Sequence, residues 1–374
     1  MIKKITVILL SCFILLSISG CNSNDEENDP GNDTTEDTTK AIHEGDYAAQ
    51  LPFRASDARA KHSQSSSLLD AFNICSGLME YSKEYFSSSS HSYKESQFIT
   101  YDILDAVDGS TGLLGRTNSE TNPIGLNPEV DTPFELEGKT TKNITSSDVL
   151  LYDIYELDWY KSKELEGISL AIVLNDQIGD TDNPDTISAD ALLTYGKEVG
   201  VKVVDYLRTE YPEIGSNLPI YVALYRVNGS NTTLPGSFFS AGYFKSKTSA
   251  QYSDLVESWQ LFPSTAATKE DPTVADNFDS FVNDVKTYFS KDISIIGKGH
   301  YRDKSIVNLH IDINMYAKSG AEMQALIQLI NVKLSLFTST NYDIQVNILC
   351  DGEEIAVIAR SKGSSDTNVI SLIE

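Results

Sequence analysis

Cysteine and tryptophan are scarce in this 374-residue chain, with four and two copies, and histidine occurs only five times. Cys12 and Cys21 fall near the N-terminus, which leaves Cys75 and Cys350 for the rest of the chain. One pair so widely separated is no disulfide framework, and both residues stand in apolar patterns that suit small buried hydrophobes. His43, His62, His91, His300 and His310 show no metal-ligand spacing, so neither a metal nor another cofactor is expected. Basic residues are also in short supply: 29 Lys and Arg face 54 Asp and Glu, a formal net charge of −25. Binding phosphates requires a basic surface, and no Lys/Arg cluster breaks the acidic background, so nucleic acid is excluded as an expected partner. Long apolar runs are missing as well. The most apolar stretch, Ile5 to Ile18, is shorter than the roughly 20 residues that span a bilayer.

That short stretch is informative for what surrounds it. Lys3 and Lys4 supply a positive n-region, Ile5 to Ile18 an apolar h-region, and Ile18-Ser19-Gly20-Cys21 places small residues directly before a cysteine. The pattern is that of a lipoprotein signal peptide over residues 1–20, cut between Gly20 and Cys21 by a signal peptidase II-type enzyme. Cys21 would then carry the acyl anchor that holds the mature chain on the extracytoplasmic face of the cell membrane. Loss of Lys3 and Lys4 would leave 27 basic residues against the 54 acidic ones. Residues 22–40 hold seven carboxylates and Lys40 with no apolar side chain among them, so they cannot bury a core. Residues 21–50 are therefore expected to be an acidic disordered tether, and about 28 flexible residues give a reach of roughly 30 Å.

The last hundred residues alternate cleanly between helix and strand periodicities. Phe278, Phe281, Val282, Val285, Tyr288 and Phe289 recur at helical spacing, and Val307, Leu309, Ile311, Ile313 and Met315 alternate with polar residues. Met323 to Phe337 reads as a second helix, and two strands reverse at Asp351-Gly352. An earlier passage follows the same order. Leu68, Phe72, Cys75 and Met79 mark a helix face, 149–159 and 167–175 a strand pair, Leu192 to Leu207 a helix, and 219–227 and 236–245 two further strands. The expected fold is α+β, with two similar α-β-β-α-β-β repeats, largely antiparallel sheets and packed helices. Repeat 1 would occupy residues 51–270 and repeat 2 residues 271–374. An aperiodic insertion over 103–147 is expected to project from the first repeat, outside the common core.

Several segments resemble one family. They are Gly77-Leu78-Met79-Glu80-Tyr81-Ser82-Lys83-Glu84-Tyr85-Phe86, Leu114-Gly115-Arg116 with Gly125-Leu126-Asn127-Pro128, Leu234-Pro235-Gly236-Ser237-Phe238, Gln260-Leu261-Phe262-Pro263-Ser264 and Ile296-Gly297-Lys298-Gly299-His300-Tyr301. Together they are similar to the CamS family of bacterial sex-pheromone-precursor lipoproteins. The resemblance implies two structural repeats behind a lipoprotein signal peptide. It also implies that the named activity belongs to the discarded signal peptide, trimmed in the membrane to a short peptide that recipients sense through a receptor and that promotes plasmid conjugation. Here the corresponding peptide is Ser11-Cys12-Phe13-Ile14-Leu15-Leu16-Ser17.

Catalytic patterns are sparse in the body. Gly297-Lys298-Gly299-His300 lacks the upstream glycine and the following Ser or Thr of a phosphate loop, and reads instead as a glycine-permitted turn or bulge. His310 and Asp312 share a polar strand face. Glu156 and Asp158 are not distinguishable as an acid/base pair in so acidic a chain. The favoured reading is a non-enzymatic binding or interaction module with no catalytic residue, whose candidate ligand residues are Arg116 and Asn127 in the insertion and Pro235 and Phe238 at the later turn. The alternative is a cell-envelope enzyme or small-ligand-binding lipoprotein of unknown substrate.

Overall fold

Alternating apolar residues build two sheets in a computed structural model that describes residues 37–65, 67–105, 111–228, 233–246, 249–289 and 293–372. The signal peptide, Cys21 and the peptide 11–17 lie outside the described residues. In chain order the first part contains β1 (Ala48–Ala49), α1 (Arg59–Ser65), α2 (Leu68–Ser82), β2 (Ser92–Glu95), α3 (Tyr101–Leu104), β3 (Pro133–Glu135) and β4 (Thr141–Asn143). It continues through β5 (Leu151–Lys161), β6 (Glu164–Leu174), β7 (Gln177–Ile178), β8 (Asp185–Thr186), α4 (Ala189–Glu210), β9 (Ile220–Arg226), β10 (Ser237–Phe244) and β11 (Tyr252–Asp254). The second part holds β12 (Glu257–Phe262), α5 (Thr265–Glu270), α6 (Pro272–Tyr288), β13 (Ile293–Arg302), β14 (Ser305–Met315), α7 (Gly320–Lys333), β15 (Asp343–Cys350), β16 (Glu353–Arg360) and β17 (Asn368–Ser371). The fold is α+β, and the helix and strand positions read from periodicity reappear within a few residues.

The first sheet runs β1-β2-β5-β6-β9-β10-β11 and the second β12-β13-β14-β15-β16-β17. In the first, β5 and β6 pair antiparallel, β6 and β9 parallel, β9 and β10 antiparallel. The series β13, β14, β15, β16 has the same three senses in the same order. Layering differs. Ile74 and Leu78 of α2 pack on Tyr155, Ala171, Val173 and Tyr221, whereas Leu192, Val199 and Val203 of α4 pack on Leu170, Ile172 and Val222 from the opposite face. In the second sheet Phe278, Phe281 and Val285 of α6 and Leu326 and Ile330 of α7 share one core over Leu309, Ile311, Val346 and Ile348. The other face remains half-buried and polar, with His310 bonded to Asp312 and Asn347 at 3.1 Å. The likeness of the two halves thus lies in strand pairing and does not extend to helix placement.

Three expectations are corrected. The described part of the insertion, 103–105 and 111–147, does not project: Leu113, Leu126, Phe134, Leu136 and Ile144 are buried in the first core, and Phe134 meets Tyr195 of α4 edge-on. Its widely spaced apolar residues carry no period because each is placed by an irregular loop rather than by one helix or strand. The tether expected to run to residue 50 instead joins the body at Asp37, where backbone bonds link Asp37 to Leu51 and Thr39 to Ala49, and Tyr47 stacks against Trp159. Leu68 and Phe72, expected on the buried face of α2, are 85% and 74% exposed, because Ile74, Gly77 and Leu78 face the sheet. A Cβ on Gly77 would come within 2.5 Å of the Phe238 ring, so close helix–sheet approach fixes that face.

Gly297 and Gly299 lie inside β13, not in a turn. A Cβ at Gly297 would meet Phe278 at 2.7 Å, and one at Gly299 would meet Phe262 at 2.8 Å, so both glycines make room for core rings. The sheets meet at Glu257, whose side chain is fully buried. Its Oε1 bonds His300 Nε2 at 2.6 Å and faces Arg302 Nε at 3.5 Å, while Oε2 accepts the Phe238 amide of the first sheet at 2.7 Å. Arg302 in turn lies over the Tyr81 ring of α2.

Candidate functional site

Apolar β6 and β9 end side by side at Leu174 and Arg226, a parallel pair with α2 packed on one face of the first sheet and α4 on the other. Ligand sites in such sheets favour the crevice beyond the carboxyl ends of the strands. A groove of about 650 Å³ lies there. Its walls come from α1 (Lys61, Gln64), the start of α2 (Ser67, Asp70), the approach to β5 (Asp148, Val149, Tyr152) and the segment after β6 (Asn175 to Thr181).

Most charged groups around the groove hold its walls. Asn175 donates to the carbonyls of Val149 and Gln177 at 3.1 and 2.7 Å and accepts the Gln177 amide. Asp148 takes the Gly179 amide at 2.7 Å on one oxygen and the Thr145 amide and hydroxyl on the other. Burial works against its charge, but these bonds hold the Asp148 carboxyl below the usual carboxylate range. Asp70 accepts from the Tyr225 hydroxyl at 2.7 Å, the Gly236 amide at 2.9 Å and Ser67 Oγ at 2.7 Å. Lys61 is paired with Asp105, and α1 is fixed to β5 by His62 Nδ1 and Asp153 Oδ2 at 2.8 Å. The Tyr152 phenol has no hydrogen-bond partner among the described residues, and burial raises it above its usual value, so it remains a neutral hydroxyl.

The residues singled out in the sequence have supporting positions. Arg116 donates to the carbonyls of Pro128, Thr145, Ser146 and Asp148, and so braces the groove wall from behind. Asn127 is buried, donates to Leu114 and Leu151 carbonyls at 2.8 and 2.9 Å, and accepts the amides of Leu150 and Leu151. Arg116 and Asn127 are bridge partners. Pro235 and Phe238 are buried elsewhere, Phe238 in the core beneath α2, and no contact joins them to the first two. The sequence signal for the groove was the polar run Asn175-Asp176-Gln177 directly after an apolar strand, which periodicity alone does not distinguish from a loop.

Glu156 and Asp158, alternate residues of β5, are 1% and 0% exposed and so closed to any substrate. Glu156 clamps the amides of Phe98 and Ile99 at 2.9 and 2.7 Å, and Asp158 accepts from Gln97 at 3.2 Å. Burial raises Glu156 against the pull of those amides; burial and then the neighbouring Glu156 push Asp158 well above the usual range. A folded state that holds a proton more tightly than the unfolded chain has that stability in full below about pH 4 and loses it as pH rises through the folded-state value. Asp158→Asn, which cannot ionise, should flatten this fall. Urea midpoints from pH 4 upward should move in the variant's favour as pH rises; parallel profiles would refute the buried-proton account.

Among the described residues no group of three or more His, Cys, Asp or Glu could hold a metal ion. The chain matches the model of the family described as CamS sex pheromone cAM373 precursor over residues 53–366. Among curated proteins none matches significantly. A solved sex pheromone precursor from Lactobacillus salivarius subsp. salivarius is 24% identical, with 90% of this chain and 99% of that one covered and a TM-score of 0.76. The C-terminal domain of the sex pheromone staph-cAM373 precursor from Staphylococcus aureus is 20% identical, with 82% and 97% covered and a TM-score of 0.64. At these identities the two structures share the fold, while the family match spans both sheets and most of the sequence: the chain belongs to the CamS family of sex pheromone precursors.

Proposed function

We propose that this protein is a surface lipoprotein with two products: a short hydrophobic peptide freed from its signal segment, and a lipid-anchored body that binds a ligand. The observation that carries the reading is the coincidence of a family match over 53–366 with the Ile18-Ser19-Gly20-Cys21 run ahead of it. After cleavage before Cys21, acyl chains on that residue hold the body at the extracytoplasmic face of the membrane. Among the described residues no helix is long and apolar enough to cross a membrane, so the anchor in this reading is the lipid. The groove beyond β6 and β9 supports a binding role for the body, with fixed walls and polar groups left over.

Residues 11–17, Ser11-Cys12-Phe13-Ile14-Leu15-Leu16-Ser17, form the peptide, released by a second cut within the membrane and sensed by a receptor in recipients that then take part in conjugation. Phe13 offers the largest apolar surface, and losing its ring should remove much of the receptor contact. The synthetic heptapeptide should induce clumping or plasmid transfer in a responder strain, its Phe13→Ala version should be at least about tenfold weaker, and mass spectrometry should find the peptide in culture medium. Equal inactivity of both peptides, with none in the medium, would remove the pheromone half of the proposal.

A further inference from the structure

We propose that the groove at the carboxyl ends of β6 and β9 binds a neutral saccharide. The inference rests on the body being a ligand-binding module and adds the chemical class of the ligand. It follows from which groups of the groove are already engaged and which are not. Both oxygens of Asp70 and both of Asp148 are taken by protein donors, and Lys61 is paired with Asp105. An anion would meet the carboxylates of Asp70, Asp148 and Asp180 with that ammonium already engaged. A cation would be drawn by the same three carboxylates, but the oxygens of Asp70 and Asp148 already accept from protein donors, and Asp180 is exposed and already accepts the Asp182 amide at 2.8 Å.

What remains is neutral and bifunctional. The Tyr152 hydroxyl, the Gln64 and Gln177 side-chain amides and the Thr181 hydroxyl line the groove with no hydrogen-bond partner among the described residues, and each can both donate and accept. Beside them lie apolar surfaces of Val149, 41% exposed, with Val227 and Pro184. A sugar ring matches that pairing, with hydroxyls around its rim and C–H groups on a face. The volume of about 650 Å³ falls inside the usual range of small-ligand sites, roughly 300–1,000 Å³, and is open enough for a chain of sugars rather than a single ring.

The test uses the full chain purified in a detergent that carries no sugar, with trisaccharides that differ in charge. The neutral probes are maltotriose and triacetylchitotriose; the deacetylated chitotriose is cationic and trigalacturonate is anionic. At millimolar concentration at least one neutral trimer should raise the melting temperature and show saturable binding by calorimetry, with both charged trimers at least about tenfold weaker. Tyr152→Phe and, separately, Gln177→Ala should each weaken the neutral trimer by about tenfold while the unliganded melting temperature stays near that of the parent. Preference for a charged trimer overturns the claim that the ligand is neutral, and with it the proposal, but keeps the binding-module reading, provided the same two variants weaken it. Failure of every trimer overturns the proposal, as does neutral binding that neither variant changes, which would place the site elsewhere. None of these outcomes bears on lipid attachment or peptide release, which are read by separate assays.

Discussion

A chain carrying Cys21→Ala should take up no radiolabelled fatty acid and should accumulate at precursor size. The Cys21 sulfur is the attachment point for the lipid in the proposed processing, and the residues before it match a lipoprotein cleavage site. The effect should be all-or-none because the proposed anchor is covalent. Each buried methylene contributes about 0.8 kcal/mol to membrane partitioning, and stable attachment takes more than one acyl chain, so a body without its lipid has no comparable hold. Cys12→Ala, which alters the h-region but not the cleavage site, should still be labelled and processed. Label in the Cys21→Ala chain together with a mature-size band would refute the anchor. Separate labelling of both variants assigns the sulfur without reference to the body's fold.

Glu257→Ala should produce the largest loss of stability of any single side-chain truncation considered, about 3–5 kcal/mol, the usual cost of removing one partner from a buried charge pair. Three groups from two sheets converge on this carboxylate: His300 and Arg302 of β13 and the Phe238 amide of β10. Removing it leaves the His300 ring and the Phe238 amide without their partner and the Arg302 guanidinium without its counter-charge at the seam between the sheets. Glu257→Gln keeps the shape and one acceptor oxygen, so it should lose less. Urea unfolding of parent, Glu257→Ala, His300→Ala and the double variant gives the coupling directly. A loss below about 1 kcal/mol for Glu257→Ala would place the pair among the weak surface bridges and remove Glu257 as the joint between the sheets.

Much of the fold was legible because its elements carry strong periods. The alternation of Leu309, Ile311, Ile313 and Met315 marks β14 because one face of that sheet is buried and the other is not. The same reasoning failed at Leu68 and Phe72. Helical spacing identified a helix, but which stripe of it faces inward was set by Gly77, whose missing side chain admits Phe238. In the insertion, Leu126 and Phe134 had no period to reveal them, yet both reach the core beside Tyr195. Arg116 and Asn127 stand out in the sequence as part of the family-like segments of the insertion, and in the structure their side chains bind backbone.

By itself the sequence determined the lipoprotein pattern around Cys21, the acidic character of the chain, the order of helices and strands and the family resemblance, because all of these are written in neighbouring residues or in short periods. Tertiary structure decided which face of each helix is buried, that residues 37–50 and 111–147 belong to the body, that Glu257 joins the sheets, and that Tyr152, Gln177 and Thr181 share a groove. Tyr152 meets the segment after β6 through the antiparallel pairing of β5 with β6, and Val227 joins them through the parallel pairing of β6 with β9 across the intervening α4. A juxtaposition made by pairing distant strands leaves no spacing in the chain for a reader of the sequence to find.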